Sequence, residues 1–94
     1  MDLVAVQPYI KIHREVSAIE QKDIVYDRNI YLYVDRIVTK YHEFPLVDVF
    51  DMSYRDFGSE VGLLYLHTRM GVYSYTVQSS PEHFIMAYHG LGKK

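Results

Sequence analysis

The sequence predicts one mainly β domain that closes with a single C-terminal helix. Three observations carry this. Ile30, Leu32 and Val34 alternate with Tyr31 and Tyr33, the period-two pattern of a strand. The stretch from Leu63 to Val77, LLYLHTRMGVYSYTV, reads as two such runs joined by a Thr-Arg-Met-Gly turn, which is a hairpin. Ser80-Pro81-Glu82 then combines an N-cap residue, a proline suited to the first helical position and an acid that favours the positive helix end.

Taken in order, Ile10, Ile12, Val16 and Ala18 alternate with Lys11, His13, Glu15 and Ser17, placing a first strand from near Tyr9. Between residues 15 and 22 the composition accommodates a helix equally well. Ile24-Val25-Tyr26 is a short strand, Asp27-Arg28-Asn29 a turn cluster, and residues 30–34 the next strand. Asp35-Arg36 reverses the chain, and residues 37–41 form the strand that follows. Pro45 belongs to a loop, because proline cannot donate in a ladder.

Residues 46–54 are a further strand with an odd pattern. Leu46, Val47, Val49, Phe50, Met52 and Tyr54 spread over both faces, and a bulge near residues 48–51 shifts the phase to accommodate them. Residues 55–60, with Gly58, form a loop. In the hairpin, a two-residue turn sets Leu66 opposite Tyr73, whereas a left-handed bulge at Gly71 sets His67 there. The glycine favours the bulge locally, and the choice decides which face is core. Phe84, Ala87, Tyr88 and Leu91 recur at helical spacing over about residues 80–90, with Gly90 or Gly92 as the stop. That count gives about seven strands and one helix, with Phe84 expected in the core.

Ninety-four residues make one domain, 1–94, able to bury only roughly 60–70 % of its unfolded surface. The net charge of −2 comes without a basic run, so the cation cluster that nucleic-acid binding needs is missing. Lys93-Lys94 is too short to supply it. There are no cysteines, which excludes a disulfide framework, a thiolate metal site and a cysteine nucleophile. The opening residues lack the basic and apolar regions of a signal peptide, and no segment approaches the ~20 apolar residues of a membrane span. The expectation is a soluble, cytoplasmic protein. Ten tyrosines without a tryptophan suit strands, where the ring packs and the hydroxyl stays wet.

Catalytic patterns are sparse. His83 and His89 do not share the i, i+4 spacing of a zinc helix, and His67 lies far away in sequence. Asp48 and Asp51 face opposite sides of a regular strand and act together only if a bulge intervenes. Asp56 and Glu60 read as solvated loop acids. Ser79-Ser80 lacks the Gly-x-Ser-x-Gly elbow and reads as a cap. Gly58, Gly62 and Gly71 form no phosphate loop. The sequence therefore predicts no enzyme, no cofactor and no metal.

The run FPLVDVFDMSY resembles a central strand of bacterial pleckstrin-homology-like domains, LLYLHTRMGVYSYTV their last hairpin, and SSPEHFIMAYHGL their closing helix. Together these cover roughly residues 24–91. The resemblance implies a bent antiparallel barrel of about seven strands capped by the helix, with Phe84 and Tyr88 as the plug. Residues 1–22 lie outside it. Some eukaryotic members bind inositol phospholipids through a Lys, then Lys/Arg-x-Arg pattern. Lys11, His13 and Arg14, interrupted by Glu15, Glu20 and Asp23, depart from it, which implies no specific phosphoinositide binding.

Two functions of different class follow. One is a protein-interaction or self-assembly module that uses Phe50, Tyr54 and Phe57 as an exposed aromatic patch. The other is a small-ligand-binding or hydrolytic protein with a pocket lined by Tyr65, His67, Tyr73 and Tyr75.

Overall fold

The computed structural model describes residues 3–16, 21–58 and 61–92. Among them, seven antiparallel strands form one sheet: β1 (Leu3–Val16), β2 (Gln21–Tyr33), β3 (Arg36–Val38), β4 (Glu43–Pro45), β5 (Val49–Asp56), β6 (Gly62–Thr68) and β7 (Gly71–Val77). One helix, α1 (Glu82–Gly92), follows. The strands lie in the order β4-β3-β2-β1-β7-β6-β5. The sheet is open, because β4 and β5 end it without pairing to each other. An open sheet therefore stands where the resemblance implied a bent, nearly closed barrel.

The long β1–β2 ladder runs from Leu3↔Tyr33 to Val16↔Gln21 with one irregularity, between Leu3 and Ala5. Residues 27–29, which look like a turn locally, lie inside β2 opposite Pro8, Tyr9 and Ile10. Cross-strand pairing overrides turn propensity here, so the strands expected at 24–26 and 30–34 are one. β1 also starts well before Tyr9. Residues 17–20, in the stretch left open between helix and strand, lie outside the described residues, as do Glu60 and the Lys93-Lys94 tail.

β1 meets β7 only around Ile10↔Thr76. Pro8, with no N–H to give, sits just beyond that pairing, and the buried Gln7 side chain bridges the gap. Its amide donates to Pro8 O at 3.1 Å and to Ser79 Oγ at 3.3 Å. Past Ile10 the β1–β2 pair continues as an arm, with Ile12 and Val25 paired and exposed. The Cα radius of gyration is 14.8 Å and the long axis 57 Å, against about 12 Å expected for the radius of a compact chain of this length.

The strand expected over 37–41 stops at Val38. Thr39 closes a turn there, its N–H donating to His42 O at 2.8 Å and its hydroxyl accepting from His42 N–H at 3.1 Å. The returning segment forms β4, and Pro45 is tolerated because β4 is an edge strand. Leu46–Asp48 is a 3₁₀ turn rather than strand. β5 then carries the expected irregularity, a register shift between Val49 and Asp51.

The hairpin uses the two-residue turn. Leu66 faces Tyr73 and Leu64 faces Tyr75, although Gly71 has φ +125°. Thr68 stabilises this choice: its hydroxyl donates to Gly71 O at 2.8 Å and accepts from Met70 N–H at 3.2 Å. The register also brings Tyr73, Tyr75 and Val77 onto the face of Leu64 and Leu66, where the core needs them.

That core gathers Ile30, Leu32, Ile37, Phe44, Met52, Leu64, Leu66, Val77 and Phe84. The Phe44 ring of β4 lies 4.9 Å from that of Tyr73 in β7, so the open sheet curls far enough for its first strand to reach its fifth. The helix lies one to two residues later than its cap pattern placed it. Ser80 Oγ accepts from Glu82 N–H at 3.3 Å, and the Tyr88 hydroxyl donates to Val49 O at 2.8 Å, tying the helix to β5.

Phe84 is 2 % exposed. Phe84→Ala is expected to lower unfolding stability by about 3–5 kcal/mol in a denaturant titration. Gly62 is a second test. A Cβ there would lie 2.5 Å from Tyr54 Cε1 and 2.8 Å from Arg55 O, so Gly62→Ala forces backbone movement. It is expected to cost on the order of 1–3 kcal/mol in the same titration.

Candidate functional site

The residues of the expected aromatic patch separate. The bulge leaves Phe50 outside, 66 % exposed, while Val49 and Met52 turn inward. Tyr54 is half-buried against the core. Phe57 is exposed beyond the far end of β5, about 20 Å of strand from Phe50, with the Arg55 guanidinium 5.7 Å from its ring. Phe50 lies instead at a corner of the sheet that carries other exposed apolar residues. Val49 pairs with Thr68, Thr68 with Gly71 and His67 with Val72. Val47, Phe50, Met70 and Val72, all exposed, therefore share one corner of the sheet. Arg69 fastens it, its N–H donating to Asp48 O at 2.8 Å and its guanidinium lying 3.9 Å from Asp48 Oδ1.

The four residues of the expected pocket also divide. Tyr65 and His67 alternate with the buried Leu64 and Leu66 and lie on the outer face. Tyr73 and Tyr75 lie on the inner one. His67 Nε2 is 2.7 Å from Ser53 Oγ, an exposed pair that lines none of the clefts described below. A nucleophile and base on open surface have no walls to hold a substrate. Asp51 and Asp48 serve separate partners. Asp51 Oδ1 lies 3.1 Å from His89 Nε2 and accepts from Met52 N–H at 2.8 Å. The hydrogen bond with His89, then that with Met52, holds the Asp51 carboxyl below its usual range.

A cleft of about 420 Å³ opens between β1, β2, β7 and the turn joining β3 to β4. Tyr73 and Tyr75 do line it, but with Tyr9, Arg28, Tyr41 and His42 in place of Tyr65 and His67. The rings of Tyr9 and Tyr75 meet edge-on at 5.0 Å, and His42 packs between Phe44 and Tyr73 at 5.5 and 5.0 Å. The Arg28 guanidinium lies 5.2 Å from the Tyr26 ring and 5.1 Å from that of Tyr41. Its hydrogen bond with the Tyr41 hydroxyl, followed by its charge, lowers that group's pKa. Burial raises the pKa of Tyr9, which the charge of Arg28 opposes. Burial also pushes Tyr75 up to about 12, with Thr39 opposing.

The sequence pattern did not assign Arg28, Tyr9, Tyr41 or His42 to a site. A signal existed for Arg28. Extending the alternation of Ile30 and Leu32 back by two residues puts it on the core face, which the apparent turn at 27–29 concealed. Among the described residues no group of three or more His, Asp or Glu converges as a metal site.

The buried tyrosines give a pH prediction. Tyr9, Tyr75 and Tyr88 are all raised above 10.0 by burial, so the folded state holds their protons longer than the unfolded chain does. Their contribution is complete below pH 10 and is lost as pH rises through their folded-state pKa values, about 12 for Tyr75. The Tyr75 hydroxyl is also buried, with Thr39 beside it but no hydrogen bond of good geometry. Tyr75→Phe is expected to hold or raise the melting temperature at pH 7 and to flatten the alkaline loss of stability. A lower melting temperature at pH 7 would show that the hydroxyl is satisfied in solution.

Among the described residues no helix is long and apolar enough to cross a membrane. Comparison with family models, curated proteins and solved structures finds no match to this chain, so its function is argued from this geometry.

Proposed function

We propose that the chain is a non-enzymatic self-association module of pleckstrin-homology-like architecture, joined to a second copy through the corner formed by Val47, Phe50, Met70 and Val72. The observation that carries it is the outward bulge of Phe50. A bulge that turned every apolar side chain inward would have removed the patch. This one buries Val49 and Met52 and leaves Phe50 in water at the corner that also carries the exposed Val47, Met70 and Val72. Clusters of this kind anchor interfaces.

The architecture is supported by the strand order, in which β1 joins two groups of three strands, and by a single helix packed on the sheet. A second copy fits because the chain is small and elongated, and association adds the apolar burial that its own fold leaves incomplete. Side-chain docking is favoured over strand addition. The bulge interrupts the free edge of β5, and Asp51, Arg55 and Asp56 charge it. The absence of cysteine is compatible with a bacterial cytoplasm.

Mass measured by light scattering over a concentration series tests this. The wild-type chain is expected to move from monomer to dimer as concentration rises. Phe50→Asp and Val72→Asp are expected to weaken the dimer by about 2 kcal/mol or more each, with melting temperatures at monomer concentrations unchanged. A wild-type chain that stays monomeric throughout overturns the reading, as does a Phe50→Asp variant that dimerises normally.

A further inference from the structure

The guanidinium of Arg28 is the least explained group in the molecule. Arg28 stands on the inner face of β2, paired with Tyr9 and two residues before the buried Ile30. Its Nε and Nη1 are closed off from solvent and have no hydrogen-bond partner. No carboxylate forms an ion pair with it among the described residues. Buried guanidinium N–H groups without an acceptor are costly, and the faces of Tyr26 and Tyr41 compensate the charge without accepting those hydrogen bonds. The Tyr75 hydroxyl, in the same cleft, is likewise buried, with Thr39 beside it but no hydrogen bond of good geometry.

The lining has a matching bias. It holds Arg28 and Lys11 and not one Asp or Glu, in a chain whose acids outnumber its Lys and Arg by 12 to 10. Lys40 stands at the rim, its ammonium 5.8 Å from the Tyr41 ring. Four tyrosines and His42 stand in the walls, and the volume of about 420 Å³ falls within the range of small-molecule sites. Tyr41, which covers the guanidinium, is 71 % exposed on a short turn, so its ring can swing out without disturbing the core.

We propose that this cleft binds a small, flat aromatic carboxylate. The carboxylate displaces the Tyr41 hydroxyl and accepts from the Arg28 guanidinium and the Tyr75 hydroxyl, while the ring lies among Tyr9, Tyr41 and Tyr73. A compact polyphosphate fits less well, because it needs several convergent cations and no aromatic walls. Asp27, which lines the two smaller clefts beside Arg28, is the acid nearest in sequence and the natural internal competitor for it.

The test is a titration with 2-naphthoate, observed by nitrogen-15 NMR at the Arg28 side-chain Nε–H and the surrounding backbone amides. Saturable shifts at Arg28, Tyr9 and Tyr75 are expected. Binding at least about tenfold weaker is expected for the neutral 2-naphthalenemethanol, and likewise for Arg28→Met with 2-naphthoate. Inositol hexakisphosphate is expected to leave these signals in place. The proposal is overturned if 2-naphthoate moves none of them, if the neutral alcohol binds equally well, or if inositol hexakisphosphate binds the same residues more tightly. It is also overturned if Asp27→Asn is needed before any shift appears, since Arg28 would then be paired internally. Should Arg28→Met fail to fold, the wild-type Nε–H shift and the neutral analogue still decide the matter.

Discussion

The β1–β2 ladder is the constraint on which the other elements depend. β1 is the strand that joins two groups, with β2, β3 and β4 on one side and β7, β6 and β5 on the other. Its contact with β7 is short, around Ile10↔Thr76. The Gln7 bridge to Ser79 and the presence of Pro8 fix the place where that contact ends. Once β1 is set, Tyr9, Ile30 and Leu32 share a face, Phe44 reaches Tyr73, and Phe84 fills the space left between the layers.

Much of this fold was legible because alternation and caps are local physics. Ile30–Leu32 and Phe84 declared their faces in sequence. What stayed hidden depended on pairing between distant residues. Asp27-Arg28-Asn29 has turn composition, yet Pro8, Tyr9 and Ile10 hold it extended. Gly71 adopts the positive φ that its identity allows, but Thr68 uses it in a two-residue turn. The shortness of β3 and the existence of β4 rest on Thr39 and His42, whose hydrogen bonds no periodicity reveals.

The site was less legible for the same reason. Phe50 was identified from an excess of apolar residues, a count that needs no tertiary knowledge. Tyr54 and Phe57 follow Phe50 in the chain but not on the surface, Val47 belongs to the same apolar excess, and Met70 and Val72 reach the corner through the pairing of β5, β6 and β7, which sequence distance does not reveal. Tyr73 and Tyr75 line the cleft without Tyr65 and His67, because alternation along β6 puts those two on the opposite face.

The arm that continues past Ile10 also sets rules for change. Its strands bond to each other and, beyond that point, to little else, so its length is not dictated by the packing of the core. The pleat nevertheless quantises it. Adding one residue to each strand reverses the side presented by everything farther out, whereas adding two restores it and extends the reach by about 7 Å. The arm behaves as a ruler graduated in pairs, and insertions compatible with its outward pair Ile12–Val25 should come in even numbers per strand.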